Sequence, residues 1–507
     1  MKSSSRIASA FLALTVAAIS TSTQAAVKLP ALFSDHMVLQ RNATVPVWGW
    51  ADPAETVTVS VAGQRQSVKA DAQGKWRVNF TALAAPTPQT MTVVGSNTLT
   101  INDVLIGEVW LGSGQSNMAM TVNRAKDYAK EQAAANLPQI RMFTVSSGPS
   151  DEAQTDCRGS WVVCSPETVG GFSATLFFFG RDVYQTLNVP MGLINSSVGG
   201  TPIESWIDPT VQRATSELNA FFQRQEEEAK KFDPVAAKAN YEKQLARWKT
   251  LAAKAKAEKQ PVPRAPRDPV ALRERKGNTG GLYLGKIAPL IPYAIRGALW
   301  YQGEANCNEP KMDFYQYQLP LLVTDWRKHW GYDFPFAWVQ LPNFSRGEPW
   351  CIVREAMLKS LRVPNTGMAI TIDIGDPEDI HPQNKQDVGK RLAMWALASV
   401  YKQPGVVASG PLPAGHATRG SEIVLNFRYT DGGLVARGGD SLRGFEVAGE
   451  DHKWQPAEAK IQGQQVVVSS PSVPKPVAAR YAWKDNPDAN LDNGAGLPAS
   501  PFRTSEW

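Results

Sequence analysis

The sequence predicts an α/β protein: a parallel-sheet domain with a helical insertion, flanked by N- and C-terminal β segments. Three observations carry this. Between residues 104 and 403, short buried-strand runs alternate with helical patterns, the signature of a parallel sheet covered on both faces. On either side of that region, alternating runs of β-formers stand without helices, punctuated by turn residues. Residues 209–275 interrupt the alternation with a stretch rich in Glu, Lys, Ala and Gln.

In chain order, the first element is a leader rather than part of the fold. Lys2 and Arg6 precede an apolar run from Ile7 to Ile19, and Thr23 and Ala25 occupy the small-residue positions of a cleavage site. The run is too short to span a bilayer, so residues 1–25 read as a secretory signal peptide and the mature protein is expected in the periplasm or secreted, with no membrane insertion. Residues 26–103 are expected to be β: Val45–Trp50, Thr56–Val61 and Trp76–Phe80 alternate, with turn residues such as Asp71 to Gly74 between them. From Val104 the texture changes. Val104–Leu111, Val189–Ile194, Arg296–Tyr301, Phe336–Leu341 and Met368–Asp373 read as strands, and Phe172–Leu187, Phe314–His329 and Lys385–Tyr401 as helices. The insertion keeps helical spacing through Tyr241, Leu245 and Trp248. It is expected to be a hairpin broken near Asp233-Pro234, followed by a stiff connector through Pro261, Pro263, Pro266 and Pro269. From 404 to 507 β character returns in Ile423–Phe427, Gly444–Val447 and Val466–Ser469. Each β segment holds too few strands to bury a core alone, so the two are expected to pack together as one sandwich- or jelly-roll-like accessory domain.

Composition narrows the function classes. The chain is 43% hydrophobic and 20% charged, which excludes a disordered, collagenous or coiled-coil protein. Its net charge of +6 over 507 residues comes without a long basic block, so a nucleic-acid partner is not expected. Sixteen Trp residues serve either as core filling or as sugar-stacking surfaces. Four cysteines suit an oxidising compartment: Cys157 and Cys164 could form a local clasp, and Cys307 and Cys351 a second bridge. No pair has CxxC spacing and only five histidines exist, so neither a metal site nor a cofactor is expected.

The residues that bear chemistry lie just past strand ends, where ligands bind in open α/β sheets. Ser116, in Gly112-Ser-Gly-Gln-Ser-Asn-Met118, follows the strand ending at Leu111 and is placed as a nucleophile; the second glycine of the G-x-S-x-G elbow is missing, which disfavours an α/β-hydrolase. His36 and His416 fall in β segments, His329 at a helix end and His452 in a polar turn. His381, in Asp376-Pro-Glu-Asp-Ile-His-Pro382, is the histidine left in a loop after a parallel strand, with carboxylates beside it. A nucleophilic serine needs such a base, oriented by a third group. Gly199-Gly200 and Gln302 follow two further strands. The glycines can turn a backbone N–H toward an oxyanion, and the glutamine can add a side-chain donor; as an alternative, both stretches are turns that need glycine.

Together these blocks resemble the SGNH hydrolase superfamily and, within it, carbohydrate esterases of the sialate O-acetylesterase kind. The resemblance rests on Gly107-Glu-Val-Trp-Leu-Gly-Ser-Gly-Gln-Ser-Asn-Met118, Trp300-Tyr-Gln-Gly-Glu304, Asp373-Ile-Gly-Asp376 with Asp379-Ile-His-Pro-Gln-Asn-Lys385, and the closing Leu497-Pro-Ala-Ser-Pro-Phe-Arg-Thr504. It spans Leu32 to Trp507, with 209–275 the poorly matched part. It implies an SGNH-type, flavodoxin-like sheet over 104–403. It also implies Ser116 as nucleophile, His381 as general base and acid, and an oxyanion hole from the Ser116 N–H, a glycine N–H of Gly199-Gly200, and Gln302. The superfamily often carries an acid three residues before the histidine, here Glu378, whereas Asp379 belongs to the Asp-Ile-His-Pro string. Asp379 is the first choice for the orienting acid, with Glu378, Asp376, Glu304 or a main-chain carbonyl as alternatives, and Asn306 as a possible supporting residue. Val198 and Ala305 depart from the family where relatives carry Trp and Ser. The implied substrate is an acetylated sugar, a sialoside first and a xyloglucan or xylan ester as the alternative. Arg354 is a candidate for holding a sugar carboxylate; otherwise it forms a structural ion pair. The rivals are a lipase or thioesterase of the superfamily and a non-catalytic carbohydrate-binding protein.

Overall fold

The computed structural model describes residues 26–263, 265–271 and 279–507. The expected leader over 1–25 and the last residues of the expected insertion, 272–275, lie outside them.

One long strand organises the molecule. Strand β1, Thr98–Gly114, begins antiparallel to Gln89–Val94, with Val104 the last of its residues paired there. Leu105–Gly107 then lies parallel to Val38–Gln40, and Glu108–Gly114 enters the parallel sheet. The change of texture at Val104 therefore falls inside a strand. Thr98–Ile101 alternates between exposed and buried, as half-buried strands do, whereas Val104–Gly114 is buried throughout. The turn in the chain's character sits at Asp103, whose φ of +54° is left-handed. Its carboxylate meets His36 Nδ1 at 2.7 Å and the Arg141 guanidinium at 2.8 Å.

The remaining strands of this sheet are β2 (Ile140–Thr144), β3 (Trp161–Val163), β4 (Met191–Ser197), β5 (Gly297–Tyr301), β6 (Phe336–Val339) and β7 (Thr366–Ala369). Their order is β7-β6-β5-β1-β4-β2-β3, parallel except for the edge strand β3. The chain winds to one side of β1 and then to the other, so β1 sits at the reversal point where such sheets open a crevice at their carboxyl ends. Strand β7 stops earlier than the apolar run Met368–Asp373 suggests. Ile370 turns its carbonyl to Arg391 at 2.6 Å, and Asp373 forms a two-point pair with the same guanidinium at 2.6 and 2.7 Å.

Among the α-helices of the described residues, seven bear on the argument: α1 (Ser116–Ala119), α2 (Ala174–Leu187), α3 (Asn219–Lys231), α4 (Pro234–Ala257), α5 (Tyr315–Trp330), α6 (Pro349–Lys359) and α7 (Lys385–Trp395). Helices α2 and α7 cover one face through Phe178, Phe179, Val183, Val388 and Leu392, all buried. They approach closely because residue 389 is glycine; a Cβ there would stand 2.6 Å from Phe178 Cβ. Helices α5 and α6 cover the other face, where Trp300, Trp326, Trp338 and Trp350 are fully buried. Most tryptophan is thus core. Within the insertion the helix breaks at the Asp233-Pro234 step: α3 ends at Lys231, and the Asp233 carboxylate caps α4 through the N–H groups of Val235 and Ala236. The proline connector folds back on α4, where Trp248 donates its indole N–H to the Pro263 carbonyl at 2.7 Å.

The flanking β segments pair their strands separately. Among the described residues they share no sheet. The N-terminal segment pairs Thr44–Trp50 with Lys75–Thr81, and Thr56–Val61 with Gln64–Lys69 and Gln89–Val94. The C-terminal segment builds two four-stranded sheets of its own and a two-stranded ribbon. Each segment also makes polar contacts with the α/β layer. On the N-terminal side, the Trp161 indole donates to the Leu32 carbonyl and the Tyr293 hydroxyl to that of Val38. On the C-terminal side, Arg503 grips Glu355 of α6 at 2.8 and 3.0 Å, and Gln340 donates to Ser500 Oγ at 2.9 Å. The disulfide expectation fails: Cys157, Cys164, Cys307 and Cys351 are four buried free thiols. Burial pushes Cys157 and Cys164 up to about 12, where they stay protonated and act as small apolar groups.

Candidate active site

Ser116 opens α1 directly after β1. The turn requires Gly114, whose φ is +133° and whose hypothetical Cβ would stand 2.2 Å from the Tyr301 carbonyl oxygen. Gln115 donates its N–H to that same carbonyl at 2.9 Å, which fixes the serine between β1 and β5.

His381 comes from the loop between β7 and α7, and its Nε2 lies 2.8 Å from Ser116 Oγ. The loop is shaped by its own carboxylates. Asp376 Oδ1 accepts the N–H groups of Glu378 and Asp379, and Asp379 Oδ1 accepts the His381 N–H at 2.9 Å. This local turn carries Asp379 Oδ1 to 3.8 Å from His381 Nδ1, on the ring edge away from Ser116. That separation is an electrostatic contact rather than a hydrogen bond. Glu378 is exposed and adds its backbone N–H to the turn.

Behind the pair lies a buried polar network that the motifs contain but whose role the sequence does not reveal. Asn117, fully buried, donates Nδ2 to Glu304 Oε1 at 2.5 Å and to the Ile380 carbonyl at 2.9 Å, and accepts from Lys385 Nζ at 2.7 Å. One amide therefore ties the serine turn, the loop after β5 and both sides of His381. Burial pulls the Lys385 ammonium down to about 7, against the upward pull of Glu304 and Asp379. Burial raises Glu304 as well, against its hydrogen bonds and Lys385. The fully buried Lys385 also sets its Nζ over the Tyr301 ring, 5.2 Å from the centroid.

Gly199 and Gly200 follow β4. A Cβ at Gly199 would lie 3.4 Å from Ser116 Cβ, so the glycine backbone rests directly against the serine, while Gly200 has the left-handed φ of +73°. Gln302 corrects an expectation. It is fully buried and spends both amide protons in the wall, on the Thr201 carbonyl at 3.2 Å and Asn306 Oδ1 at 2.7 Å; its oxygen accepts from Tyr315. The amide cannot be flipped, because Asn306 Oδ1 also accepts the Ile203 backbone N–H at 3.0 Å and must be oxygen. Gln302 is thus a wall residue with no donor left for an oxyanion. Asn306 belongs to the same wall and donates to Glu204 at 3.1 Å. Arg354 corrects another. It is fully buried and donates to the carbonyls of Leu341, Pro342, Lys484 and Asp485, so it clamps α6 to the C-terminal segment and faces neither substrate nor a paired carboxylate.

A serine, an imidazole at hydrogen-bond distance and glycine backbone against the serine suit acyl transfer. Among the described residues no group of His, Cys, Asp and Glu could hold a metal ion.

Comparison with known proteins agrees with this chemistry. The pattern for the carbohydrate esterase family of sialic acid-specific acetylesterases matches residues 106–241 and 283–398. The chain is 30% identical to the sialate O-acetylesterase of Mus musculus, over 96% of each protein, and 29% identical to that of Homo sapiens, over 92% of this chain and 91% of the human one. A carbohydrate acetylesterase of Xanthomonas citri, solved by crystallography, superposes with a TM-score of 0.81 at 36% identity, covering 95% of this chain and all of that one. The chain belongs to the carbohydrate esterase family of sialic acid-specific acetylesterases and is a carboxylic ester hydrolase acting as an O-acetylesterase.

Proposed function

We propose that the protein is an exported, SGNH-type esterase that removes O-acetyl groups from sialic acids through an acetyl-enzyme on Ser116. The observation that carries the reading is the 2.8 Å approach of His381 Nε2 to Ser116 Oγ. His381 takes the hydroxyl proton as Oγ attacks the acetyl carbonyl. The oxyanion is met by backbone N–H groups of Ser116 and of the Gly199-Gly200 pair, each such donor being worth about 10²–10³ in rate. His381 then protonates the departing sugar hydroxyl. Water, deprotonated by the same imidazole, attacks the acetyl-enzyme and releases acetate. Asp379, at 3.8 Å from Nδ1, stabilises the imidazolium that forms in both halves. The names of the mammalian relatives support the sialoside as substrate, and the leader-like residues 1–25 support export.

The test is acetate release from O-acetylated sialic acid and from acetylated xylan and xyloglucan fragments. The reading expects preference for the sialoside and loss of turnover in Ser116→Ala and His381→Ala. Turnover of the plant-wall esters alone would overturn the substrate assignment, and undiminished turnover in either variant would overturn the mechanism.

A further inference from the structure

Trp48 and Trp50 are tryptophans that the core leaves half-buried. Strand Thr44–Trp50 pairs with Lys75–Thr81 in a register that sets Trp48 opposite Arg77 and Trp50 opposite Lys75. Directly opposed residues share a face, and the flanking Val47/Val78 pair is buried on the other, with Trp76 opposite Gly49 on that same buried side. Two indoles and two cations therefore stand side by side on one face, where the Trp48 ring also packs edge-on against Phe33 and Tyr293 at 4.8 and 6.5 Å. That face walls a cavity of about 440 Å³, which Lys69 and Asp71 join and which Ile291 and Pro292 of the α/β layer close. Its lining includes none of the residues of the Ser116–His381 site.

Three cations, Lys69, Lys75 and Arg77, and one carboxylate, Asp71, line this cavity. Among the described residues Lys69, Lys75 and Arg77 enter no ion pair. Asp71, the carboxylate beside them, is held by its own turn, accepting the N–H groups of Gln73 and Lys75 at 2.9 and 2.8 Å. Trp76, in the same lining, is 3% exposed with its indole N–H buried from solvent, so it walls the cavity without offering that donor to it. Indole faces take the apolar face of a sugar ring, and unpaired cations take a carboxylate. The volume lies in the range of small-molecule sites. Arg354, the cation first expected to meet a sugar carboxylate, is consumed by main-chain carbonyls.

We propose that this cavity is a second, non-catalytic carbohydrate site, and that it holds a carboxylate-bearing sugar of a sialylated glycan. The choice of sialoside rests on the proposed function; the anionic, ring-stacking character of the site rests on the cavity itself. The test uses the full-length protein carrying Ser116→Ala, titrated calorimetrically with sialyllactose and with lactose. The expected result is saturable binding of sialyllactose, weakened by salt, with no binding of lactose. The double variant Lys75→Gln/Arg77→Gln, which alters exposed side chains, lowers the affinity at least about tenfold, as does Trp50→Ala, whereas His381→Ala leaves it unchanged. The absence of sialyllactose binding, equal binding of lactose, or an affinity unmoved by the double variant would each overturn the proposal. The readout is independent of turnover. Failure of the wild-type enzyme on acetylated sialosides would strike the proposed function alone, and the double variant should hydrolyse p-nitrophenyl acetate at the wild-type rate.

Discussion

Ser116 and His381 stand 265 positions apart in sequence and 2.8 Å apart in space. Both were legible because each follows a parallel strand within a polar run, and the fold gathers strand ends. The orienting acid was less legible. Spacing offered Glu378 and Asp379, and the turn closed by Asp379 Oδ1 on the His381 N–H decides which carboxylate comes round to Nδ1. Asp379→Asn is therefore expected to lower kcat by about 10²–10⁴ with little change in KM, while Glu378→Gln stays near wild type; steady-state kinetics on p-nitrophenyl acetate reads both. Gln302 and Arg354 were misjudged for one reason. A polar side chain near a strand end reads from sequence as available, and burial with its partners becomes visible in three dimensions. For Arg354 the consequence is measurable. Arg354→Met leaves the Leu341 and Lys484 carbonyls without their donor, while Pro342 and Asp485 keep those from Trp350 and Phe344; it should cost on the order of 3 kcal/mol in chemical denaturation, with the remaining folded protein keeping its KM.

At the scale of elements, strands and helices long enough to show a period were found in the sequence with ends shifted by a few residues. The helix expected over Phe172–Leu187 begins after its Ser173 cap, and the one expected over Lys385–Tyr401 ends in a π turn from Ala396. Strand β7 is shorter than its apolar run because Arg391 captures Ile370 and Asp373. Strand β2 and helix α6 went unread: β2 carries the buried Arg141 within its apolar run, and α6 carries Arg354 and Glu355 buried amid its apolar positions, which blurs the period. Two glycines set how the elements meet. Gly389→Ala would push a methyl to 2.6 Å from Phe178 Cβ and should cost about 1–3 kcal/mol by separating α2 from α7. Thermal unfolding measures this, and kcat/KM per folded molecule should hold. Gly114→Ala forces a left-handed φ and a clash with the Tyr301 carbonyl beneath the serine, so it should lower kcat as well as stability.

The whole molecule is an α/β layer that both β segments contact, and the sequence does not reveal these contacts because apolar stripes do not name their partners. Stability at this scale has a pH signature. Lys385 falls from its ordinary 10.5 to about 7 in the folded protein because it is buried. Unfolded chains bind that proton across the intervening range and folded ones do not, so stability rises as pH goes from about 7 toward 10.5 and is lost as pH falls through 7. Lys385→Met should flatten that rise in urea unfolding, and a slope equal to wild type would show the ammonium to be solvated. The central claim is that Ser116 carries the acetyl group, and the most direct measurement is rapid acid quench of the enzyme with an O-acetylated sialoside, followed by mass spectrometry of the Ser116 peptide. The structure predicts a transient acetyl adduct on Ser116 that is absent in Ser116→Ala and that fails to accumulate in His381→Ala. Full turnover with no acetylated peptide, or an adduct on another residue, would contradict it.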